Sequence, residues 1–155
     1  MTLATSKPAP DIAKTRRPAW LRSSLAFGGA PIGNLYASVS DDQAAATIAR
    51  AWQQGIRHFD TAPYYGYGLS ESRLGAELSG LGRHGFTLST KVGRIIDADL
   101  PQTGHADGFI VDGYSARFDY SRDGVMRSLE ASLKRLRTDH VDVLLLHDIG
   151  ALTHG

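Results

Sequence analysis

Four polar residues end or closely follow the apolar segments of this chain of 155 residues. Asp60 ends the segment IRHFD, Lys91 ends FTLSTK and His147 ends VDVLLLH, while Tyr65 lies in the Gly- and Tyr-rich stretch after Asp60. If these segments are parallel strands, their carboxyl ends meet at one rim and the four side chains converge on one pocket. A candidate site made of these four groups is therefore predicted.

This set of side chains fits proton transfer to a carbonyl oxygen while a cofactor supplies a hydride. A phenol ordinarily keeps its proton at neutral pH, and a nearby ammonium favours the phenolate. Lys91 is the candidate ammonium beside Tyr65, and Asp60 is expected to pair with Lys91 and orient it. His147 is expected to position the substrate oxygen through a ring nitrogen. The chain has no cysteine and no serine on a G-x-S-x-G elbow, so it offers no obvious nucleophile.

Two other kinds of site, a dinucleotide-binding turn and a metal centre, have partial signals in the sequence. The turn from Gly28 to Gly33 reads GGAPIG, which departs from the dinucleotide fingerprint of an open sheet because Ala30 and Pro31 interrupt it. His58 and Asp60 lie on one strand face and could begin the site of a metal-dependent barrel hydrolase. We interpret His58 instead as a packed interior residue and predict no metal site.

The surrounding segments alternate between strand-like and helix-like patterns. Strands are predicted over 25–27, 56–60, 86–91 and 141–147, and helices are predicted to begin at the N-caps Ser40, Ser70 and Ser121. This order predicts an α/β fold with a parallel sheet, either open and doubly wound or closed into a barrel. Because VDVLLLH is apolar on both faces, the fourth strand is expected to be buried.

The segment 93–120 interrupts this alternation. It is rich in Gly and Asp and has no helical stripe. Connections of this length are uncommon in compact domains unless they are functional or disordered. We therefore predict a mobile loop without regular structure that overhangs the rim and helps to select the substrate.

Three segments carry a resemblance to a known family. FDTAPYYGYGLSESRLG (59–75), STKVGR (89–94) and SLKRLRTDHVDVLLLHD (132–148) resemble the aldo-keto reductases. Two further segments, AFGGAPIGNLY and FDYSRDGVMRSLEASLKRL, are similar to a branch of that family containing aldose dehydrogenases. The resemblance implies a (β/α)8 barrel of the TIM type, NADP or NAD as cofactor, and a sugar or small aldehyde as substrate.

The resemblance also assigns roles to residues. Motif by motif, the catalytic Asp, Tyr, Lys and His of the family fall on Asp60, Tyr65, Lys91 and His147. Contacts to the nicotinamide and its ribose are implied for Gly29, Ala30, Asp60 and His147. Because a complete barrel needs about 250 residues, residues 21–155 are expected to be its amino-terminal half, with about four strands and three helices. A catalytically silent interaction or regulatory half-barrel is the alternative.

The composition of the chain limits which partners and which cellular location we expect for the protein. With 17 Lys and Arg against 16 Asp and Glu, the net charge of +1 gives no reason to expect a nucleic acid or an anionic membrane as partner. No apolar run is long enough to span a bilayer. Residues 1–20 lack the apolar core of a secretory signal and are predicted to be a flexible tail, so we expect a cytoplasmic protein. Two open sheet edges predict self-association.

Overall fold

A parallel sheet flanked by helices organises the molecule. The computed structural model describes residues 18–155, without the side chains of residues 99–102. In chain order the elements are β1 (Phe27–Gly28), α1 (Asp41–Gln53), β2 (His58–Asp60), α2 (Leu69–Leu78), β3 (Thr87–Val92), β4 (Arg94–Ala106), β5 (Phe109–Phe118), α3 (Arg122–Leu136), β6 (Val143–Leu146) and α4 (Ala151–His154). The sheet order is β1-β2-β3-β6, and each neighbouring pair is parallel. The predicted α/β arrangement is confirmed.

Serine N-caps begin two of the three long helices, as predicted. The Ser40 hydroxyl accepts a hydrogen bond from the Gln43 N–H, and the Gln43 side chain accepts one from the Ser40 N–H, which completes a capping box. Ser121 caps α3 through the Gly124 N–H. These bonds satisfy N–H groups that have no partner inside a helix, so they fix where each helix starts.

The predicted N-cap Ser70 is wrong. Helix α2 begins two residues earlier than predicted, at Leu69, with Gly68 as its N-cap, and the φ of 93° at Gly68 suits glycine. The Ser70 hydroxyl is buried instead, where it contacts the Thr61 hydroxyl and donates to the carbonyl oxygen of Gly29. Ser70 therefore ties the start of α2 to the ends of β1 and β2.

The main core lies between the sheet and the helices. Buried side chains from every layer meet there, including Ile48 of α1, Phe59 of β2, Leu74 of α2, Leu88 of β3 and Leu136 of α3. Burial of each such side chain stabilises the fold by about 1.5–3 kcal/mol. A fully buried Glu71 accepts bonds from Arg135 and Thr90, which joins α2, α3 and β3.

The segment predicted as an irregular loop over 93–120 is a β-hairpin, so the prediction that it lacks regular structure is wrong. Its mobility and its role in substrate selection stay predictions. Strands β4 and β5 pair antiparallel, with a register shift between Asp97 and Gln102. Asp107 and Gly108 form the turn, with φ of 49° and 86°. An Asp-Gly pair is a favoured two-residue hairpin turn because both positions adopt positive φ. Phe109 and Val111 alternate with less buried residues and give β5 its packed face.

The prediction that the fourth strand is buried on both faces is also wrong. In β6, Leu144, Leu145 and Leu146 are 40%, 43% and 54% exposed. Within the described residues β6 pairs only with β3, so its outer edge faces solvent. The hairpin and the single turn of α4 also add to the predicted four strands and three helices.

Residues 1–17, most of the predicted tail, lie outside the described residues. Pro18 to Trp20 form a turn, and the Thr87 hydroxyl donates to the carbonyl oxygen of Trp20 at 2.5 Å. Among the helices of residues 18–155, none has the length and apolar character needed to cross a bilayer.

Candidate active site

Asp60 and Lys91 form an ion pair at the carboxyl ends of neighbouring strands. Asp60 lies opposite Ser89 in the ladder between β2 and β3, and Lys91 lies two residues further along β3 on the same face. The Lys91 Nζ is 2.8 Å from the Asp60 Oδ2 and also donates to the carbonyl oxygen of Thr61 at 2.8 Å. The Ser89 hydroxyl donates to the other carboxylate oxygen at 2.6 Å. The ammonium is therefore held from two sides.

Tyr65 lies beside this ion pair, on the loop between β2 and α2. The Lys91 Nζ is 4.7 Å from the centroid of the Tyr65 ring, and the same ring stacks on Phe109 with centroids 5.9 Å apart. The loop reaches this position because two glycine backbones touch. A Cβ on Gly66, whose φ is 63°, would lie 2.3 Å from the carbonyl oxygen of Gly33. Only glycine permits this approach and this backbone angle together.

His147 follows β6 and approaches Tyr65 from the next strand end. Its backbone N–H donates to the carbonyl oxygen of Val92, and its ring meets the Tyr65 ring edge-on with centroids 5.8 Å apart. Burial lowers the pKa of His147 to about 4, and Lys91 and Arg94 act in the same direction against Asp148. The imidazole is therefore neutral at pH 7, with one nitrogen as donor and the other as acceptor.

One ring nitrogen of His147 has no partner in the part of the chain that the structure describes. The Nδ1 atom is buried and accepts or donates no hydrogen bond there. The Nε2 atom lies 3.7 Å from a carboxylate oxygen of Asp148. A buried polar atom without a partner is energetically costly, so this nitrogen is a candidate to bond a ligand or an ordered water.

The hairpin and the residues that contact it add groups to the site that the sequence analysis missed. Tyr64 donates from its hydroxyl to Asp107 in the hairpin turn at 2.5 Å, and the guanidinium of Arg94 lies 3.7 Å above the Tyr64 ring. Burial raises the pKa of Tyr64, and the bond to Asp107 raises it further. Tyr120 donates to the backbone oxygen of His147 at 2.5 Å. The Asp-Gly turn was the signal in the sequence that could have revealed this covering hairpin.

Gly29 and Ala30, for which the family resemblance alone predicts a contact with the cofactor, have different surroundings. Gly29 is buried, its N–H donates to the carbonyl oxygen of Asp60 and its own carbonyl accepts from Ser70, so both backbone groups already have partners. Ala30 is half-buried against the cluster of Tyr64, Tyr67, Phe109 and Val111. Their contact with a nicotinamide stays a prediction.

His58 faces the site residues and not a cluster of metal ligands. Its Nε2 lies 3.1 Å from the Ser89 hydroxyl. Among the described side chains, no group of three or more His, Asp and Glu residues is placed to hold a metal ion. The geometry instead brings together a phenol, an ammonium, a carboxylate and a neutral imidazole, which suits proton transfer at a carbonyl oxygen.

Comparison with known proteins gives a consistent set of similarities. The family model described as the Aldo/keto reductase family matches residues 24–154. The chain is 38% identical over 151 residues to D-threo-aldose 1-dehydrogenase of a Pseudomonas species, covering 94% of this chain and 44% of that protein. It is 42% identical over 143 residues to pyridoxal 4-dehydrogenase of Microbacterium luteolum, covering 86% of this chain and 42% of that protein.

A solved structure shows a similar fold. The crystal structure of an aldo-keto reductase from Klebsiella pneumoniae in complex with NADPH matches with a TM-score of 0.55 and 25% identity, covering 81% of this chain and 35% of that one. The chain thus spans less than half the length of the relatives that it matches.

Proposed function

This chain belongs to the aldo/keto reductase family, and we propose that its four strand-end residues perform the proton transfer of an NAD(P)-linked oxidoreductase. The reaction interconverts a small carbonyl compound and its alcohol. The observation that carries the proposal is the contact of Lys91 with both Asp60 and the Tyr65 ring, at 2.8 Å and 4.7 Å, with His147 beside Tyr65.

Each residue has a distinct role in this proposal. Tyr65 donates its hydroxyl proton to the substrate oxygen in the reductive direction and takes it back in oxidation. Lys91 stabilises the phenolate that remains, and Asp60 keeps the ammonium in place. His147 is neutral at pH 7 because burial lowers its pKa to about 4, so its ring N–H can hold the substrate oxygen next to the Tyr65 hydroxyl.

The unsatisfied nitrogen of His147 supports binding of a ligand at this rim. We propose Asp60 and His147, with Gly29 and Ala30, as the residues of this chain nearest to a nicotinamide and its ribose. When bound, NADP or NAD in its reduced form supplies the hydride to the carbonyl carbon. The chain's own contribution is to orient the substrate and to move the proton at its oxygen.

Sugars and small aldehydes are the proposed substrates. The names of two relatives, an aldose dehydrogenase and a pyridoxal dehydrogenase, support both classes. Location in the cytoplasm remains a prediction that cell fractionation would test.

A chimera tests the proposed chemistry directly. The chain is fused to the part of the Pseudomonas D-threo-aldose 1-dehydrogenase that it does not match, and NAD(P)-linked turnover is measured with aldoses and aldehydes. Tyr65→Phe is expected to lower kcat by about 10²–10⁴-fold, since it removes the proton donor. The Kd for the cofactor is expected to stay within about twofold, since the substitution removes no proposed nucleotide contact.

Tyr114→Phe is the matched control, because Tyr114 is 46% exposed on the hairpin. Its kcat is expected to equal that of the unmodified chimera. A fully active Tyr65→Phe chimera would remove Tyr65 from the proposed site. An equal loss in Tyr114→Phe would assign the effect to the hairpin fold.

A second proposal concerns association of the 155-residue chain. The edge of β6 that has no partner strand among residues 18–155 carries three exposed leucines, and Ile149 next to it is 59% exposed. An apolar strand with free N–H and C=O groups favours pairing with another strand. We propose that the chain by itself associates with a second copy through this edge and shows no dehydrogenase activity.

Light scattering after size-exclusion chromatography tests this proposal. The expected mass exceeds 16.7 kDa, and Leu145→Lys is expected to shift the population toward monomer by placing a charge on the edge. A monodisperse monomer with turnover would contradict both parts. Titration with NADPH, followed by energy transfer from Trp20 and Trp52, tests the alternative of a catalytically silent interaction domain. Saturable quenching in the micromolar range would exclude that alternative.

A further inference from the structure

His58 and Ser89 have no role in the proposed reaction, but both lie close to Asp60 in the sheet. His58 precedes Asp60 by two residues on β2, and Ser89 precedes Lys91 by two residues on β3. Side chains two residues apart in a strand project from the same face. Because Asp60 pairs with Ser89 in the parallel register, all four residues lie on one face of two adjacent strands.

These four side chains form a continuous series of polar contacts. The His58 Nε2 lies 3.1 Å from the Ser89 hydroxyl, which donates to the Asp60 Oδ1 at 2.6 Å. The Asp60 Oδ2 accepts from the Lys91 Nζ at 2.8 Å. Each carboxylate oxygen therefore has its own donor.

The short Ser89 contact fixes the direction of the series. A hydroxyl has a single hydrogen, and the 2.6 Å distance places it toward the carboxylate. The alternative acceptor, the carbonyl oxygen of Phe59, is at 3.5 Å. Ser89 must then accept from His58, so the His58 Nε2 carries a hydrogen.

We propose that Ser89, supported by His58, is a positioning residue that orients the Asp60 carboxylate toward Lys91. This inference rests on the proposed function, in which Lys91 acts on Tyr65. Without the Ser89 hydroxyl, the carboxylate is free to rotate and its oxygens compete for the ammonium. Because the Asp60 side chain is 28% exposed, water can replace the lost bond. Removal of the Ser89 hydroxyl is therefore expected to make the Lys91 side chain more mobile, with only a small decrease in the free energy of unfolding.

Thr90 provides a matched control on the same strand. Its hydroxyl, on the opposite face of β3, donates to the fully buried Glu71 at 2.6 Å. Thr90→Val and Ser89→Ala each remove one buried hydroxyl from adjacent positions. Thr90→Val is expected to be the more destabilising of the two, since it leaves an oxygen of Glu71 that water does not reach.

Proton NMR of the lysine ammonium in the 155-residue chain tests the proposal. The sequence has four lysines, at positions 7, 14, 91 and 134, so Lys91→Arg assigns the signal. Ser89→Ala is expected to speed hydrogen exchange at the Lys91 ammonium by about tenfold, as the loss of an ordered charged hydrogen bond implies. Ser89→Thr is expected to restore slow exchange, and Thr90→Val to leave it within about twofold.

Nitrogen chemical shifts of His58 provide a second readout, since the proposal requires hydrogen on its Nε2. His58→Phe removes that donor and is expected to give a smaller increase in exchange at Lys91 than Ser89→Ala. Unchanged exchange in a folded Ser89→Ala chain, or an equal increase in Thr90→Val, would overturn the proposal. Neither readout requires turnover. An inactive chimera would therefore contradict the proposed function without changing the NMR result for Ser89 and Lys91.

Discussion

Strands β3 and β6 lie side by side and each leads to a residue of the candidate site, yet they differ in nearly every physical respect. Strand β3 has neighbours on both sides and is buried along almost its whole length, although three of its six residues are Thr or Ser. Strand β6 is entirely Val and Leu, but its three leucines are exposed. Burial of a strand is therefore set by what lies beside it and not by its own hydrophobicity.

The same difference extends to the site residues. Lys91, at the end of β3, is fixed by bonds to Asp60 and Thr61. His147, after β6, is held by its backbone and by ring contacts, and its Nδ1 has no partner among residues 18–155. Hydrogen bonds thus hold Lys91 in place within this chain, whereas the position of the His147 ring depends on ring contacts.

The largest expected difference between the two strands is in the loss of stability when a leucine is replaced by alanine. Leu88→Ala in β3 is expected to lower the free energy of unfolding by about 3 kcal/mol, because Leu88 is 2% exposed in the main core. Leu145→Ala in β6 is expected to cost less than about 1 kcal/mol, since Leu145 is already 43% exposed. Urea denaturation of both variants measures the difference. Equal losses would show that β6 is as buried in solution as β3.

The next effect is a dependence of stability on pH that comes from His147. In the unfolded chain this residue takes up a proton near its ordinary pKa of 6.5, but burial lowers the pKa to about 4 in the folded chain. Between these values the unfolded state binds more protons, so stability is full above about pH 6.5 and falls as the pH decreases toward 4. Urea midpoints of the wild type and His147→Gln at pH 7 and pH 5 measure this. Parallel pH dependence in the two proteins would contradict it.

The smallest effect concerns the hairpin that covers the site. Tyr64→Phe removes the hydrogen bond to Asp107 and is expected to destabilise the attachment of the hairpin by about 1 kcal/mol. Amide hydrogen exchange should increase in β4 and β5 and remain unchanged in β3. Tyr114→Phe, on the exposed side of the hairpin, serves as the control. Faster exchange in β3 would mean that Tyr64 supports the whole sheet.

The sequence predicted a parallel sheet with alternating helices and the polar residues at the strand ends, because apolar segments alternating with capped helices have few possible arrangements. The choice between an open sheet and a barrel came from the family resemblance. Ser40 and Ser121 cap helices as their positions indicated. Ser70 does not, because the backbone angle of Gly68 starts the helix earlier and leaves the hydroxyl buried. A choice of this kind depends on tertiary packing and not on local residue preference.

The hairpin and the exposure of β6 show two different reasons for wrong predictions. For the hairpin, the Asp107-Gly108 turn was present in the sequence, but the Gly content of 93–120 favoured the interpretation as a loop. For β6, the apolar residues Val143 to Leu146 favoured the prediction of burial, although the open sheet edge that we also predicted implies exposure of this strand. The contact of Ser89 with Asp60 also depends on strand register, which the separate segments do not reveal.

Side chains from separate strand ends converge around Tyr65, and nuclear Overhauser effects in the 155-residue chain detect this convergence. The Lys91 Nζ and the His147 ring lie 4.7 Å and 5.8 Å from the centroid of the Tyr65 ring. We predict cross-peaks from the Tyr65 ring protons to the Lys91 side chain and to the His147 ring. Loss of both cross-peaks in a chain that retains those between Phe59 and Phe86 of the core would contradict this convergence.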